Sequence, residues 1–315
     1  MHLTTIIVSY NTRHLLDECL ADLHKAEAPV GGGACVVVDN ASRDGSAEHL
    51  ASQHPDVRLI RLERNVGFGR ANNAALPHVH TPYVLLLNTD AFMTPDSIKR
   101  SIDYMEAHPR CGVLGARLLN RDGTPQPSAR RFPTPWNVFL LQAGLERWFS
   151  GTPRIDPSDF DADQAQECDW VPGCYFLIRK TVIDQIGLFD PLFFLYAEEV
   201  DLCRRVKNAG WQVHYFPDAH VVHLGGESAK SDGEVTASRQ IDALSIESNL
   251  LYFRKHHGRA GLAAHVLFEG LAALLVGLRD WARRRGSARL STGLQRWRVA
   301  LTLLRQTRFG TTPTR

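Results

Sequence analysis

Apolar residues in the first 120 positions fall into short runs separated by stretches of helical length. Residues 4–8, 35–38, 57–61, 83–87 and 112–116 are short apolar runs and predict five strands, the β-branched first one buried. Between them, residues 14–26, 46–52, 68–76 and 95–108 predict helices, the last with Pro95 near its first turn. Strands separated by helices of this length build βαβ units and a mostly parallel sheet, an α/β class of fold. From 120 to 166 the pattern decays into Pro-, Arg- and Asp-rich sequence, read as a long functional loop with a helix over 136–149. Regular structure returns at 170–178. A helix opens near Glu198 and ends at Gly210, residues 212–216 and 219–223 are strand-like, and the chain is helical from about 238 onward.

Ligands on parallel sheets bind outside the carboxyl ends of the strands, so the residues that follow each apolar run come next. They are Ser9-Tyr10-Asn11, then Asp39-Asn40-Ala41-Ser42, then Asn65-Val66-Gly67-Phe68-Gly69-Arg70-Ala71-Asn72, then Asn88-Thr89-Asp90. Each alone is a common turn or cap sequence. Four consecutive polar strand ends on one rim fit a nucleotide. Asp39 can accept a hydrogen bond from a base N–H, Tyr10 can flank the base, and the Gly67/Gly69 turn leads into a helix N-terminus that can face phosphate. The turn lacks the third glycine of GxGxxG and follows the third strand, which argues against a dinucleotide site. Asp90 reads as a ligand for Mg²⁺ or Mn²⁺ that would neutralise a diphosphate; the competing role, capping the next helix, suits Thr94 better.

A second constellation is Glu198-Glu199-Val200-Asp201, preceded by Phe193-Phe194-Leu195-Tyr196. Acids at a helix start are also favoured by the macrodipole, and Asp201 can pair with Arg205 one turn on. Glu198 and Glu199 point in different directions, so at most one faces a reacting centre. An aromatic surround raises a carboxylate's pKa and suits a general base. His223 ends a strand-like run before Leu224-Gly225-Gly226, where metal or phosphate contact competes with ordinary packing.

Composition bounds these readings. The 315 residues are 44% hydrophobic and 22% charged, which excludes disorder, collagen and coiled coil as the main organisation. The six cysteines form no CxxC pair and read as small buried hydrophobes of a reducing compartment. No basic segment followed by a long apolar run opens the chain, so a cytoplasmic location is expected. The net charge of +2 is asymmetric: residues 279–315 carry ten arginines against Asp280, and the rest of the chain is net acidic. A basic tail suggests an anionic membrane surface, or else a solvated helical face. Residues 260–278 hold neither Lys nor Arg and at about 1.5 Å per residue would just span a bilayer. His265, Glu269 and three glycines argue instead for a helix lying on a surface or packed on the catalytic domain. Residues 290–308 mix leucines and Trp297 with Arg296, Arg298, Arg305 and Arg308, which suits lipid headgroups or a helical pair completing the fold.

Taken together, the chain resembles the family 2 inverting glycosyltransferases of GT-A fold, most of all their bacterial rhamnosyltransferase-like members. The likeness runs from Thr4 to about His223, with some similarity through Tyr252-Phe253-Arg254-Lys255-His256. It is carried by Val8-Ser9-Tyr10-Asn11, Val38-Asp39-Asn40-Ala41-Ser42, Asn65-Val66-Gly67-Phe68-Gly69, Leu87-Asn88-Thr89-Asp90, Trp170-Val171-Pro172-Gly173, Glu198-Glu199-Val200-Asp201-Leu202 and Val222-His223. The resemblance implies a GT-A catalytic domain over 1–235, with a donor half (about 1–116) and an acceptor half (about 117–235), and a helical, basic extension over 236–315. It implies a nucleotide-diphosphate sugar donor held by Ser9, Tyr10, Asn11, Asp39, Asn40, Asn65, Gly67, Asn72, Asn88, Thr89 and Gly173, with Asp39 on a pyrimidine base. Asp90 and His223 would hold the divalent cation and Glu199 would be the catalytic base. The implied donor is dTDP-rhamnose and the implied acceptor a glycan or lipid-linked glycan at the cytoplasmic face of the membrane. Two departures stand out: the DxD motif is Asn88-Thr89-Asp90, and the family's Glu-Asp pair is Glu198-Glu199. A non-catalytic sugar-nucleotide binding module is the competing reading. A nucleic-acid partner is not expected, because the arginines lack interleaved stacking residues.

Overall fold

The computed structural model describes residues 2–157, 160–225, 236–283 and 288–315. In chain order the elements are β1 (Leu3–Ser9), α1 (Arg13–Glu27), β2 (Ala34–Asp39), α2 (Ser46–Gln53), β3 (Arg58–Arg61), α3 (Phe68–Ala74), β4 (Tyr83–Asn88), β5 (Ala91–Met93), α4 (Ser97–Ala107) and β6 (Cys111–Leu119). There follow α5 (Pro135–Ala143), β7 (Gln166–Cys168), β8 (Tyr175–Arg179), α6 (Lys180–Ile186), α7 (Glu198–Asn208), β9 (Gln212–His223), α8 (Thr236–Ala282) and α9 (Ala288–Gln306). They form two compact units. The first comprises residues 1–130, 159–191 and 198–237; the second comprises 131–158, 192–197 and 238–315.

The first unit is built on one nine-stranded sheet of order β3-β2-β1-β4-β8-β6-β9-β5, with β7 also paired to β9. The pairs β1–β2, β1–β4, β2–β3 and β6–β9 are parallel, while β8, β5 and β7 run against their neighbours. Because β1, β2 and β4 are buried, they read as continuous apolar runs. Leu3, Ile7, Val37, Leu85 and Leu87 share one core with Leu16, Leu20 and Leu23 of α1. The α1–α2 edge is tied by Asp17, whose Oδ1 accepts from Nε2 of His49 (2.7 Å) and of His54 (2.8 Å). All six cysteines are free thiols, and burial pushes Cys19 and Cys111 up to about 12.

Several elements differ from the sequence pattern, among them β7 and α6, which it did not mark. The three-residue β5 is too short to leave a periodic signature. Residues 212–223 form one strand: its pairing with β6 shifts register after Phe216, which accommodates Pro217, a residue with no N–H for the ladder. The helix expected over 136–149 ends at Ala143, because Gly144 caps it in the left-handed region (φ 64°) and a 3₁₀ turn, Glu146–Trp148, follows. Its start is fixed by a capping box in which Thr134 Oγ1 accepts from Asn137 N and Asn137 Oδ1 accepts from Thr134 N.

In the second unit α8 bends at Gly258 (φ 68°) and packs on α9 through Ile246, Leu250, Leu262, Val266, Ala300 and Leu303. Small residues set the helix spacing. A Cβ on Gly270 would lie 2.8 Å from the Trp297 ring, and one on Gly277 would lie 2.6 Å from Leu290. Trp297 donates its indole N–H to Val266 O (2.9 Å), and Arg296 pairs with Asp242 (2.7 Å). Trp297 is therefore turned toward α8 and Arg296 is ion-paired while still partly exposed, whereas Arg298, Arg305 and Arg308 are exposed. Arg284, Arg285 and the Arg289 side chain lie outside the described residues.

Asp201 is fully buried and accepts from Arg205 Nε at 2.8 Å, while the same guanidinium donates to Ile186 O and Leu188 O. Truncating Asp201 strands a cation among carbonyls. Asp201→Ala should lower unfolding free energy by about 3 kcal/mol in a urea titration, well beyond a surface substitution.

Candidate functional site

Strand register brings the polar strand ends to one level. Ser9 is the partner of Asp39 across β1–β2, and Val8 is the partner of Asn88 across β1–β4. Across the antiparallel β4–β8 pair Leu87 meets Tyr175, and Asn88 N donates to Cys174 O (3.1 Å), so Gly173 lies beside Asn88 at the same end. Ser9, Asp39, Asn40, Gly67, Asn72, Thr89 and Asp90 are buried, while Tyr10, Asn11, Asn65, Asn88 and Gly173 are partly exposed.

Past β2 a cleft of about 470 Å³ opens, lined by Tyr10, Asp39, Ser42, Arg43, Arg64 and Asn65 among others. Asp39 Oδ2 accepts from Ser42 N (3.1 Å), but its buried Oδ1 has no partner. An unsatisfied buried carboxylate oxygen at a cleft wall is an acceptor waiting for a donor from a ligand. Two non-glycine residues flank it in the left-handed region, Asn11 (φ 53°) and Ala41 (φ 66°). Asn11 is held there by accepting from Arg43 N (2.7 Å) and donating its own N–H to Ser42 Oγ (3.0 Å). Asn40 donates to Asn65 Oδ1 (3.0 Å) and accepts from Val66 N (2.9 Å), which fixes the loop that reaches Gly67 (φ 89°, ψ 170°), a conformation reserved for glycine. The other residues of that loop are occupied structurally. Gly69 is required by packing, since a Cβ there would lie 2.9 Å from Phe189 Cβ, and the Asn72 amide donates to Phe68 O (3.0 Å) within the short α3.

The second focus joins residues far apart in sequence. The β5–β9 pair sets Ala91 opposite His223, and Leu224 N donates to Asp90 O (3.0 Å). Asp90 Oδ1 and His223 Nε2 then face each other at 3.5 Å. That is too long for a good hydrogen bond, but two ligands of one cation with bonds of about 2.1 Å sit roughly 3 to 3.5 Å apart. Gln126 fixes the ring. Its Nε2 donates to His223 O (2.6 Å) and Asn120 Oδ1 (2.7 Å), so its Oε1, 3.1 Å from Nδ1, acts as the acceptor. The hydrogen therefore sits on Nδ1 and the Nε2 lone pair faces Asp90, the arrangement of a metal-binding histidine. Burial holds the imidazole below its usual pKa against the opposing pull of Asp90, which keeps it neutral. This donor set, one carboxylate and one neutral imidazole, fits Mg²⁺ or Mn²⁺.

The third focus is the start of α7. Tyr196 (φ 71°) and Ala197 (φ 65°) are consecutive left-handed non-glycine residues, a costly conformation that aims Glu198 and Glu199. Glu198 is buried with Oε2 unpartnered, and Glu199 is less enclosed. Burial raises both carboxyls above the ordinary range; Glu199 adds to the rise at Glu198, and the Arg130 cation opposes the rise at Glu199. Burial raises the thiol of Cys174, whose carbonyl accepts from Asn88 N at the same end of the sheet. Gln126 and Arg130 are absent from the sequence-based set. Both come from the irregular 120–134 segment, where no periodicity marks them.

The residues 4–187 match the model of the family described as Glycosyl transferase family 2. Among curated proteins, the N-acetylglucosaminyl-diphospho-decaprenol L-rhamnosyltransferase of Mycobacterium tuberculosis is 30% identical over 254 residues, 73% of this chain and 78% of that protein. Rhamnosyltransferase WbbL of Escherichia coli K12 is 28% identical over 176 residues, 52% of this chain and 63% of that protein. Among solved structures, the mannosyltransferase PcManGT from Pyrobaculum calidifontis, in complex with GDP-Man and Mn²⁺, superposes with a TM-score of 0.57 at 16% identity, covering 98% of this chain and 88% of that one. The fold is thus the GT-A type of nucleotide-sugar transferases. The chain belongs to glycosyl transferase family 2, and rhamnosyltransferases are among its curated relatives.

Glu198 gives a direct test of the buried acids. Its carboxyl is raised in the folded state, so the folded protein binds more protons and stability falls as pH climbs above the unfolded carboxyl's pKa of about 4.3. Glu198→Gln should flatten that fall. Denaturant midpoints of the two proteins should converge near pH 5 and separate in favour of the variant near pH 8.

Proposed function

We propose that the chain transfers a sugar, with inversion at the anomeric carbon, from a nucleotide-diphosphate donor to a lipid-linked glycan acceptor in cell-surface polysaccharide synthesis. The observation that carries this reading is the facing of Asp90 and His223 on the same rim as the Asp39 carboxylate, whose Oδ1 has no partner. Kinship to enzymes named as rhamnosyltransferases supports L-rhamnose as the sugar, hence dTDP-rhamnose as the donor. The name of the mycobacterial relative supports a polyprenyl-diphosphate-linked acceptor.

In this reading Asp39 accepts from the base N–H and Tyr10 flanks the base in the cleft, with Ser9, Asn11, Asn40, Asn65 and Gly67 shaping its walls. Asn88, Thr89 and Gly173 bring backbone close to the donor sugar. Asp90 and His223 hold the divalent cation, which when bound neutralises charge on the departing diphosphate. Glu199 removes the proton from the acceptor hydroxyl, whose oxygen attacks the anomeric carbon from the face opposite the diphosphate. Burial keeps the Glu199 carboxyl basic enough for that task, and the Arg130 cation opposes part of the rise. Residues 1–235 carry the chemistry, and 236–315 form the helical extension.

Glu199→Gln should cut turnover by about 10²- to 10⁴-fold while the dissociation constant of the nucleotide sugar, read by calorimetry, stays within a few-fold. Turnover near the wild-type rate would remove Glu199 from the mechanism.

For the cation, Mn²⁺ together with dTDP-rhamnose should raise the melting temperature of the wild type. Asp90→Ala should abolish the metal-dependent part of that shift. An unchanged shift would place the cation elsewhere.

A further inference from the structure

Among the described residues, every large hydrophobic side chain that is exposed belongs to the second unit. Half of them lie on α8. Leu267, Leu271, Leu274, Leu275, Leu278 and Trp281 recur at helical spacing and form one stripe, with Leu267 at 65% and Leu278 at 63% exposed. The polar residues of the same stretch are turned inward: His265 is 1%, Glu269 8% and Asp280 3% exposed. Burial holds His265 down to about 4 and pushes Glu269 up, so both are shielded from water rather than facing it. Between 260 and 278 every exposed residue is Ala or Leu. A helix of a water-soluble surface shows the opposite polarity.

The stripe continues onto α5. Phe268 meets the Trp136 ring (5.8 Å between centroids), and Trp136, itself exposed, meets Phe149 (5.5 Å). Exposed cations bound this surface: Arg259 and Arg283 at the two ends of the stripe, and Arg147, whose guanidinium lies 5.5 Å from the Trp148 ring. An uninterrupted leucine row edged by tryptophan and arginine matches the interfacial layer of a phospholipid bilayer, where acyl chains meet anionic headgroups.

We propose that this face seats the protein on a lipid bilayer, with the 259–282 segment of α8 lying in the plane of the membrane. By its length and composition α8 is long and apolar enough to cross a membrane. It lies along the surface because its remaining faces are already occupied: Val266, Gly270 and Gly277 approach α9, and Ala272 joins Phe139, Leu140 and Ala143 of α5. The contact therefore rests on apolar side chains, with the arginines adding a preference for negative headgroups. This goes beyond the transfer reading and does not depend on the donor or the base.

The test is flotation of the full-length chain with phosphatidylcholine vesicles and with vesicles containing phosphatidylglycerol. The comparison is the double variant L267E/L278E, whose sites are exposed, so its thermal melt should match the wild type. The wild type should float with both vesicles, more strongly with the anionic ones, and remain bound at about 0.5 M salt. The double variant should partition about 100-fold less, roughly tenfold for each leucine. A wild type that stays unbound with both vesicles overturns the proposal. So does binding confined to anionic vesicles, released by salt and unaffected in the variant, which would assign it to the arginines alone. So does a vesicle-free dimer by light scattering that the variant converts to monomer without any flotation, which would make a second copy the occupant. Vesicle binding and donor turnover are read separately, so failure of one leaves the other standing.

Discussion

Level pairing of the parallel strands governs the donor rim. Ser9 opposite Asp39 and Val8 opposite Asn88 bring three strands to a halt together, and Leu87 opposite Tyr175 adds the segment before β8 to the same edge. Side chains alternate along a strand, so a one-residue slip would turn Asp39 into the core and expose Val38 in its place. The apolar faces of β1, β2 and β4 prevent that slip, because each is buried by helices that would lose contact with Ile7, Val37 and Leu87. Hydrophobic packing thus fixes polar geometry in a place where no polar contact is strong enough to fix itself.

The rim so formed carries more buried negative groups than partners for them. Asp39 has one satisfied oxygen, Glu198 has an unpartnered Oε2, and Glu199 is opposed only in part by Arg130. Left-handed backbone at Asn11, Ala41, Tyr196 and Ala197 adds conformational cost at the approaches to those acids. A fold selected for stability alone would remove both features. Their persistence together at this end of the sheet marks where binding energy from a cation and a polar ligand is meant to enter.

The order of strands and the polar residues at their ends were legible because burial on both faces writes continuous apolar runs, and whatever follows them must be rim. The pairing of Asp90 with His223 was legible only through family likeness. Their meeting depends on β5, three residues long, and on a strand that runs through Pro217, neither of which has a period to read. Gln126 and Arg130 were invisible for a related reason, since an irregular segment announces no direction for its side chains. In the tail, the charge count left Arg296 and Trp297 open between a lipid surface and a helical pair, and Asp242 and Val266 O claim them for the pair. Composition reports how much charge a helix carries. Only packing decides which way it turns.

Packing also decides among the fates open to a 19-residue stretch free of Lys and Arg. The three glycines that weaken its case as a spanning helix have a positive use, for two of them let α9 come close enough for Trp297 and Leu290 to touch the helix backbone. Once that side is committed to α9 and Ala272 is committed to α5, the buried polar groups have somewhere to go that is neither water nor lipid. What is left over is a single row of leucines. A row one side chain deep can enter a headgroup layer but cannot replace the surroundings of a spanning helix, which must be apolar on every face that meets lipid. The same residues that make the stretch look like a membrane span are therefore divided by the fold between an internal helix contact and an outward apolar face.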